Sequence, residues 1–325
     1  MLQIIWATRI ARMIMVLQSG VTLRCLLIGG LVVALSGFTG CSSAPDRSGI
    51  AKGYAGEPPT DTDLARWVSQ LRDNSTAIEG DSGVHLLGAG TEAYAARLAL
   101  IAAASESIDV QYYLFHQDAT GTVLTWSLWQ AAERGVKVRL LLDDLEKRPD
   151  DFPINILDAH PNIEVRLYNP FYRRSGRALQ MLGQFARLNH RMHNKSLTAD
   201  NLATVVGGRN VGDEYFDANK RVNFGDLDVL AVGPVVSEVS SAFDRYWNSE
   251  LVYPYQMLTN NGGVEQGDKA RAQAQVEQSI TALEGSPYAD ALVDSEIAKH
   301  IKDASLSMAW EPMALWVDKP DLVAM

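Results

Sequence analysis

Cysteine is nearly absent from this chain. Its 325 residues hold two, Cys25 and Cys41, so a disulfide framework is excluded. Positive charge is short as well. Lys and Arg number 29 against 39 Asp and Glu, a net charge of −10, which argues against a nucleic-acid partner because phosphate backbones select basic surfaces. No apolar run reaches the roughly 20 residues of a membrane-spanning helix. The strongest, Leu26–Phe38, is of the length of a signal-peptide core. Repeats and low-complexity tracts are missing too. What remains has a globular composition, 47% hydrophobic and 21% charged, and is long enough for one sizeable core plus appendages.

Against that background one stretch stands out. His193-Asn194-Lys195 is followed by Asp200, Gly207, Gly208 and Asn210, the pattern H-x-K-x4-D-x6-G-G-x-N. Six typed positions at fixed spacing arise by chance in fewer than about one chain in 10^5. The residue types suit attack on a phosphodiester: an imidazole as nucleophile, an ammonium to hold a phosphate oxygen, glycines and an amide to line an anion pocket. Met192–Leu197 alternates apolar and polar residues, which predicts a half-buried strand with His193 and Lys195 on one face. Asp200-Asn201 reads as a turn. Ala203–Val206 reads as a second strand, and Gly207-Gly208 as a place where backbone approaches a ligand closely.

These residues resemble the HKD motif of the phospholipase D superfamily at every typed position. The resemblance implies that His193 accepts a phosphatidyl group as a phosphohistidine. It implies further that Lys195 and Asn210 hold non-bridging oxygens, and that Asp200 is the motif's supporting carboxylate. It implies no metal and no cofactor. Similarity extends from about residue 85 to 253: a strand at Ser107–Phe115, a helix at Thr120–Arg134 ended by Gly135, a two-face-buried strand at Val136–Leu142 followed by Asp143 and Asp144, a strand at Asp226–Pro234 and a helix at Val235–Trp247. The nearest likeness is to bacterial cardiolipin synthases of the C type and related lipoproteins. The expected fold is α/β, a mixed, largely parallel sheet flanked by helices. Asp61–Asn74 and Thr91–Ser105 read as further helices. Asp228 reads either as facing the rim of the site or as a solvated strand end. Trp126, Trp129 and Trp247 read as core.

Family sites use two motif copies, one histidine attacking and the other protonating the leaving alkoxide. The second H-x-K here, His300-Ile-Lys302, lacks its aspartate, Ser307 standing in that position, and sits in an amphipathic helical pattern. Either a second copy of the chain completes the site across a two-fold axis, or this is the front half of a longer protein, the reading favoured. In that reading 61–253 is a phospholipase D-like domain, and 254–325 is a helical link plus the start of a further segment at Trp310.

The amino terminus suggests export. Phe38-Thr39-Gly40-Cys41 resembles a bacterial lipobox with phenylalanine in place of leucine. Residues 1–40 are then a signal peptide, Cys41 the lipidated residue, and 41–60 a polar, flexible tether. The expected location is a lipid anchor on the bacterial cell envelope, at the outer membrane or periplasmic face.

Charge is uneven near the motif. Between Glu164 and Asp200 stand Arg166, Arg173, Arg174, Arg177, Arg187, Arg191 and Lys195 with no acidic residue, interleaved with Leu179, Met181, Leu182 and Phe185. This predicts a basic, partly apolar lip for a membrane surface, or else a solvated face, with Arg191 as the best single residue for substrate contact. The leading function is transfer of a phosphatidyl group from a phospholipid through His193 to phosphatidylglycerol. A hydrolase, a nucleic-acid phosphodiesterase and a silent, truncated envelope lipoprotein are the alternatives.

Overall fold

The computed structural model describes residues 45–146, 152–171, 188–219, 221–258, 266–283, 297, 299–300 and 305–320. The signal-peptide and Cys41 readings, and Arg173, Arg174, Arg177 and Arg187 of the expected lip, lie outside them. Among the described residues no helix is long and apolar enough to cross a membrane.

The chain begins with α1 (Asp63–Asp73), started by Thr62, whose hydroxyl accepts the Ala65 amide. Then come β1 (Ser82–Leu87), α2 (Gly90–Ala103), β2 (Ser107–Tyr112), α3 (Ala119–Glu133), β3 (Lys137–Asp143), α4 (Phe152–Asp158) and β4 (Ile163–Tyr168). The motif region supplies β5 (Ser196–Ala199) and β6 (Ala203–Gly207). After them follow β7 (Asp228–Val232), α5 (Pro234–Trp247), β8 (Val252–Pro254), α6 (Gln266–Leu283) and β9 (Ala309–Glu311). Gly135, at φ +100°, ends α3 in the left-handed conformation that glycine adopts without strain.

All nine strands form one sheet in the order β8-β4-β3-β2-β5-β6-β7-β1-β9. The α/β class and the mixed sheet match the expectation. The parallel part is β2-β3-β4, where α3 and α4 supply the crossovers. The remaining pairings are antiparallel, so the largely parallel character is confined to that unit.

Strand alternation divides the core in two. Ile108, Val110, Tyr112, Val138, Leu140 and Leu142 join the larger core with α1, α2, α3 and α4. Leu141 faces the other way, with Tyr168, Met192, Phe243, Tyr246 and Trp247. On that second face Arg139 makes two 2.7 Å hydrogen bonds to Asp109 and reaches Asp244 of α5 at 2.8 Å. Trp129 and Trp247 are buried, and Trp126 packs on the core, as the sequence implied.

Two boundary readings are corrected. The described part of the supposed flexible tether is docked on the end of α5: Gly53 donates to and accepts from the Asn248 amide, Ala55 donates to Asp244, and Arg166 donates to the Ala51 carbonyl. The segment around Trp310 completes the same sheet. It forms β9, antiparallel to β1, with its indole against Gly83. Backbone ladder bonds to β1, rather than a separate core, hold it in place.

Candidate active site

The expected strand at Met192–Leu197 is corrected in its first half. Residues 190–195 approach without regular structure, and β5 begins at Ser196. His193 and Lys195 nonetheless meet. Lys195 Nζ lies 3.2 Å from His193 Nδ1 and donates to the His193 carbonyl at 2.6 Å. His193 is exposed and Lys195 is buried. The ammonium therefore comes up from beneath the ring.

Tyr113, just beyond β2, completes the pair. Its ring centroid is 4.8 Å from that of His193, and Lys195 Nζ stands 5.4 Å from the centre of its face. The sequence reading placed Tyr113 only in a core strand. Alternation along β2 was the available signal, because Tyr113 has the parity of Asp109 and Gln111, which face the second core.

Two charges are shifted here. Burial and the adjacent Lys195 ammonium hold the His193 imidazole below its ordinary value, so it is neutral at pH 7. Burial lowers Lys195 to about 8, against the pull of Asp226 and Asp228. A neutral imidazole beside a cation that is still mostly protonated is a pair suited to attack on an anionic phosphodiester.

Asp228 is neither on the rim nor solvated. It is fully buried, 2.8 Å from Arg97 and 3.7 Å from Arg209. Both cations are tied further: Arg97 to Tyr112 and the Ala93 carbonyl, and Arg209 to the Leu87 carbonyl. This ion cluster supports β6 and β7 from below.

The glycines serve this packing. A Cβ on Gly207 would stand 2.0 Å from Asp228 Oδ1 and 2.6 Å from the Leu227 carbonyl oxygen, and one on Gly208 would stand 2.0 Å from Asp226 Oδ1. Their lack of side chains lets the β6 end lie against β7. Asn210 is buried, its side-chain oxygen accepting the Leu114 amide at 3.1 Å.

Asp200 lies at the far end of β5 from His193. It accepts the amides of Ser105 at 2.9 Å and of Glu106 and Ser107 at 2.8 Å each. Asp200 and Asn201 have φ +51° and +53°, the mirror-image turn suited to a tight hairpin. Asp200 therefore fixes the β5–β6 hairpin to the start of β2.

Arg191, the residue expected to contact substrate, is held by partners within the protein. It faces inward, with Nη1 3.1 Å from Asp143 Oδ1 and from the Asn169 carbonyl, and Nε donating to the Leu188 carbonyl. Asp143, buried at the end of β3, also accepts the Met192 amide at 3.0 Å. Burial raises this carboxyl to about 6 despite Arg191 and those amide donors. The Asp143–Arg191 pair aims the segment that carries His193, a role the sequence reading did not assign to either residue. Arg166 is no lip residue either. It is buried over Trp247, 4.3 Å from the ring centre, and bonded to Glu164. A basic pattern along the sequence did not become a basic surface at these positions, because the alternation of β4 turns Arg166 inward.

Comparison with known proteins follows the same residues. A family model described as "Cardiolipin synthase, PLD-like domain" matches residues 98–247. Cardiolipin synthase C of Escherichia coli (strain K12) is 40% identical over 263 residues, 79% of this chain and 54% of that protein. Major cardiolipin synthase ClsA of Bacillus subtilis (strain 168) is 30% identical over 181 residues, 55% of this chain and 36% of that protein. Among solved structures, NucT from Helicobacter pylori aligns with a TM-score of 0.41 at 18% identity, over 54% of this chain and 99% of that chain. The chain spans about half the length of curated relatives that it matches.

Proposed function

Because this chain belongs to the phospholipase D superfamily, we propose that it carries one half of a phosphatidyltransferase site of the cardiolipin synthase type. The observation that carries this reading is the contact of a neutral, exposed imidazole with a buried ammonium at His193 and Lys195.

In the proposed reaction a ring nitrogen of His193 attacks the phosphorus of a phospholipid. The bond to the headgroup oxygen breaks, and the alcohol leaves after taking a proton. Lys195 turns from the His193 ring to a non-bridging oxygen, with Asn210 beside it. The hydroxyl of phosphatidylglycerol then attacks the phosphohistidine, loses its proton, and departs as cardiolipin, returning His193 to its starting state. Asp200 acts through the hairpin rather than on the substrate. The proton for the first leaving alcohol is assigned to a second motif histidine, from another copy of the chain or from a longer form of it.

The solvent exposure of His193 supports one runner-up, hydrolysis with water as acceptor. Lipid analysis of cells expressing the wild type and His193→Ala separates the readings. Extra cardiolipin with the wild type alone supports the transferase. Extra phosphatidic acid supports the hydrolase. Identical lipids in both strains would reject both.

The anchoring part of the proposal is that Cys41 is lipidated and holds the protein on the envelope surface next to its substrate. Labelled palmitate entering the wild type and not Cys41→Ala supports it, and equal labelling of the two overturns it.

A further inference from the structure

A second group of chemically able side chains lies apart from His193, where three segments meet. His116 and Asp118 stand between β2 and α3, Glu146 follows β3, and Glu214 follows β6. His116 Nδ1 is 3.1 Å from Glu214 Oε1 and 4.0 Å from Asp118 Oδ2. One ligand atom from each of these three residues lies within 4.8 Å of the other two. The other ring nitrogen, Nε2, faces Glu146 Oε1 at 3.6 Å. All four side chains are largely buried, between 18% and 27% exposed.

We propose that His116, Asp118 and Glu214 bind a divalent transition-metal ion of the zinc or manganese class, with Glu146 orienting the imidazole. Ligand atoms about 2.1 Å from one tetrahedral ion stand roughly 3.4 Å apart, so the His116–Glu214 separation of 3.1 Å already suits an ion, and the Asp118 carboxylate, 4.0 Å from the same nitrogen, has to swing inward to join it. One imidazole nitrogen with two carboxylates suits zinc or manganese, whereas calcium and magnesium favour oxygen-only shells.

Glu146 supplies an independent indication. A histidine that ligates through one nitrogen commonly presents the other to a carboxylate, which fixes the ring and raises its basicity. Glu146 holds that position, and its other oxygen accepts the Phe115 amide at 3.2 Å.

The backbone also delivers these groups to one point. Asp118 accepts the Gly121 amide at 3.0 Å and the Asp213 amide at 2.7 Å, which aims its carboxylate. Gly212 permits the approach of Glu214, because a Cβ there would stand 2.7 Å from His116 Nδ1 and 3.1 Å from Glu214 Oε2. Among the described residues no lysine or arginine pairs with Asp118 or Glu214. Even a protonated imidazole would leave negative charge there that a dication neutralises. Such an ion would clamp the loop after β6, which contains the motif residue Asn210, to the start of α3.

Full chain stripped with a chelator and then dialysed should take up one Zn²⁺ or Mn²⁺ ion in calorimetric titration, confirmed by elemental analysis. His116→Gln and Glu214→Gln should each weaken binding at least tenfold, and Glu146→Gln by roughly 10- to 100-fold. The melting temperature of the wild type should rise with metal, while that of Glu214→Gln, checked as folded by circular dichroism, should not move. His193→Ala should bind as the wild type does, which separates this site from the HKD pair. No uptake by the wild type, or uptake that Glu214→Gln leaves unchanged, overturns the proposal.

Discussion

Lys195 Nζ lies 3.2 Å from Nδ1 of His193; burial makes both charges harder to carry, and the ammonium adds to that effect on the ring. A cation beside an imidazole favours the neutral ring, and a buried ammonium is itself easier to deprotonate. The pair is matched to its proposed task between the His193 midpoint, below 6.5, and about pH 8. Below that window the nucleophile is protonated. Above it the phosphate-holding charge is lost.

This gives a titration that needs no catalysis. In nuclear magnetic resonance the His193 midpoint should lie below 6.5 in the wild type and move upward in Lys195→Met, because a neighbouring positive charge has been removed. A midpoint that stays in place would show that the two groups are uncoupled in solution.

Asp228→Asn should be severely destabilising. It leaves Arg97 and Arg209 buried without their shared counter-ion, a loss on the order of 3–5 kcal/mol for a broken buried pair. Urea unfolding measures it, and a loss below about 1 kcal/mol would contradict the buried cluster. Where the variant still folds, Lys195 should titrate below about 8, since Asp228 helps to sustain its charge.

The two motif glycines should differ. A Cβ on Gly207 meets backbone, the Leu227 carbonyl and Asp228 Cα, as well as the Asp228 carboxylate, whereas the nearest atoms to one on Gly208 all belong to the Asp226 side chain. Gly207→Ala should therefore cost about 1–3 kcal/mol or more as overpacking, and Gly208→Ala much less, because Asp226 can swing aside. Thermal melts of the two variants compare them directly. Equal losses would mean that the β6–β7 approach is looser than described.

Asp200→Ala tests whether the motif carboxylate acts on the chemistry or on the fold. It strands three part-buried amides, those of Ser105, Glu106 and Ser107, each at less than the about 1–3 kcal/mol of a fully buried unpaired donor because water can reach them. Stability should fall while the His193 midpoint stays where it is. A shift of that midpoint with unchanged stability would place Asp200 in direct communication with the imidazole.

Much of the fold was legible because it rests on local signals. Gly135 ends α3 where the sequence places the end, and the aliphatic run of β3 is buried on both faces. Elements whose strength comes from distant partners were not legible. β9 is three residues long and owes its existence to the ladder with β1, and residues 45–59 look like a linker until α5 is there to receive them. At the site, the identity of His193 and Lys195 follows from spacing. Their neighbours Tyr113, Asp143 and the buried Asp228 come from other strands, and no fixed spacing links those strands to the motif.

The sequence by itself singled out His193, Lys195 and the hairpin that follows them, because a two-residue step and a short hairpin are local geometry. Tertiary structure alone decided which charges face inward. Arg191, Arg166 and Asp228 read as surface groups along the chain, yet each is buried against a partner from a distant segment. The cost of desolvating an ion is met only where packing brings its counter-charge within a few ångströms, and that meeting is a property of the assembled sheet.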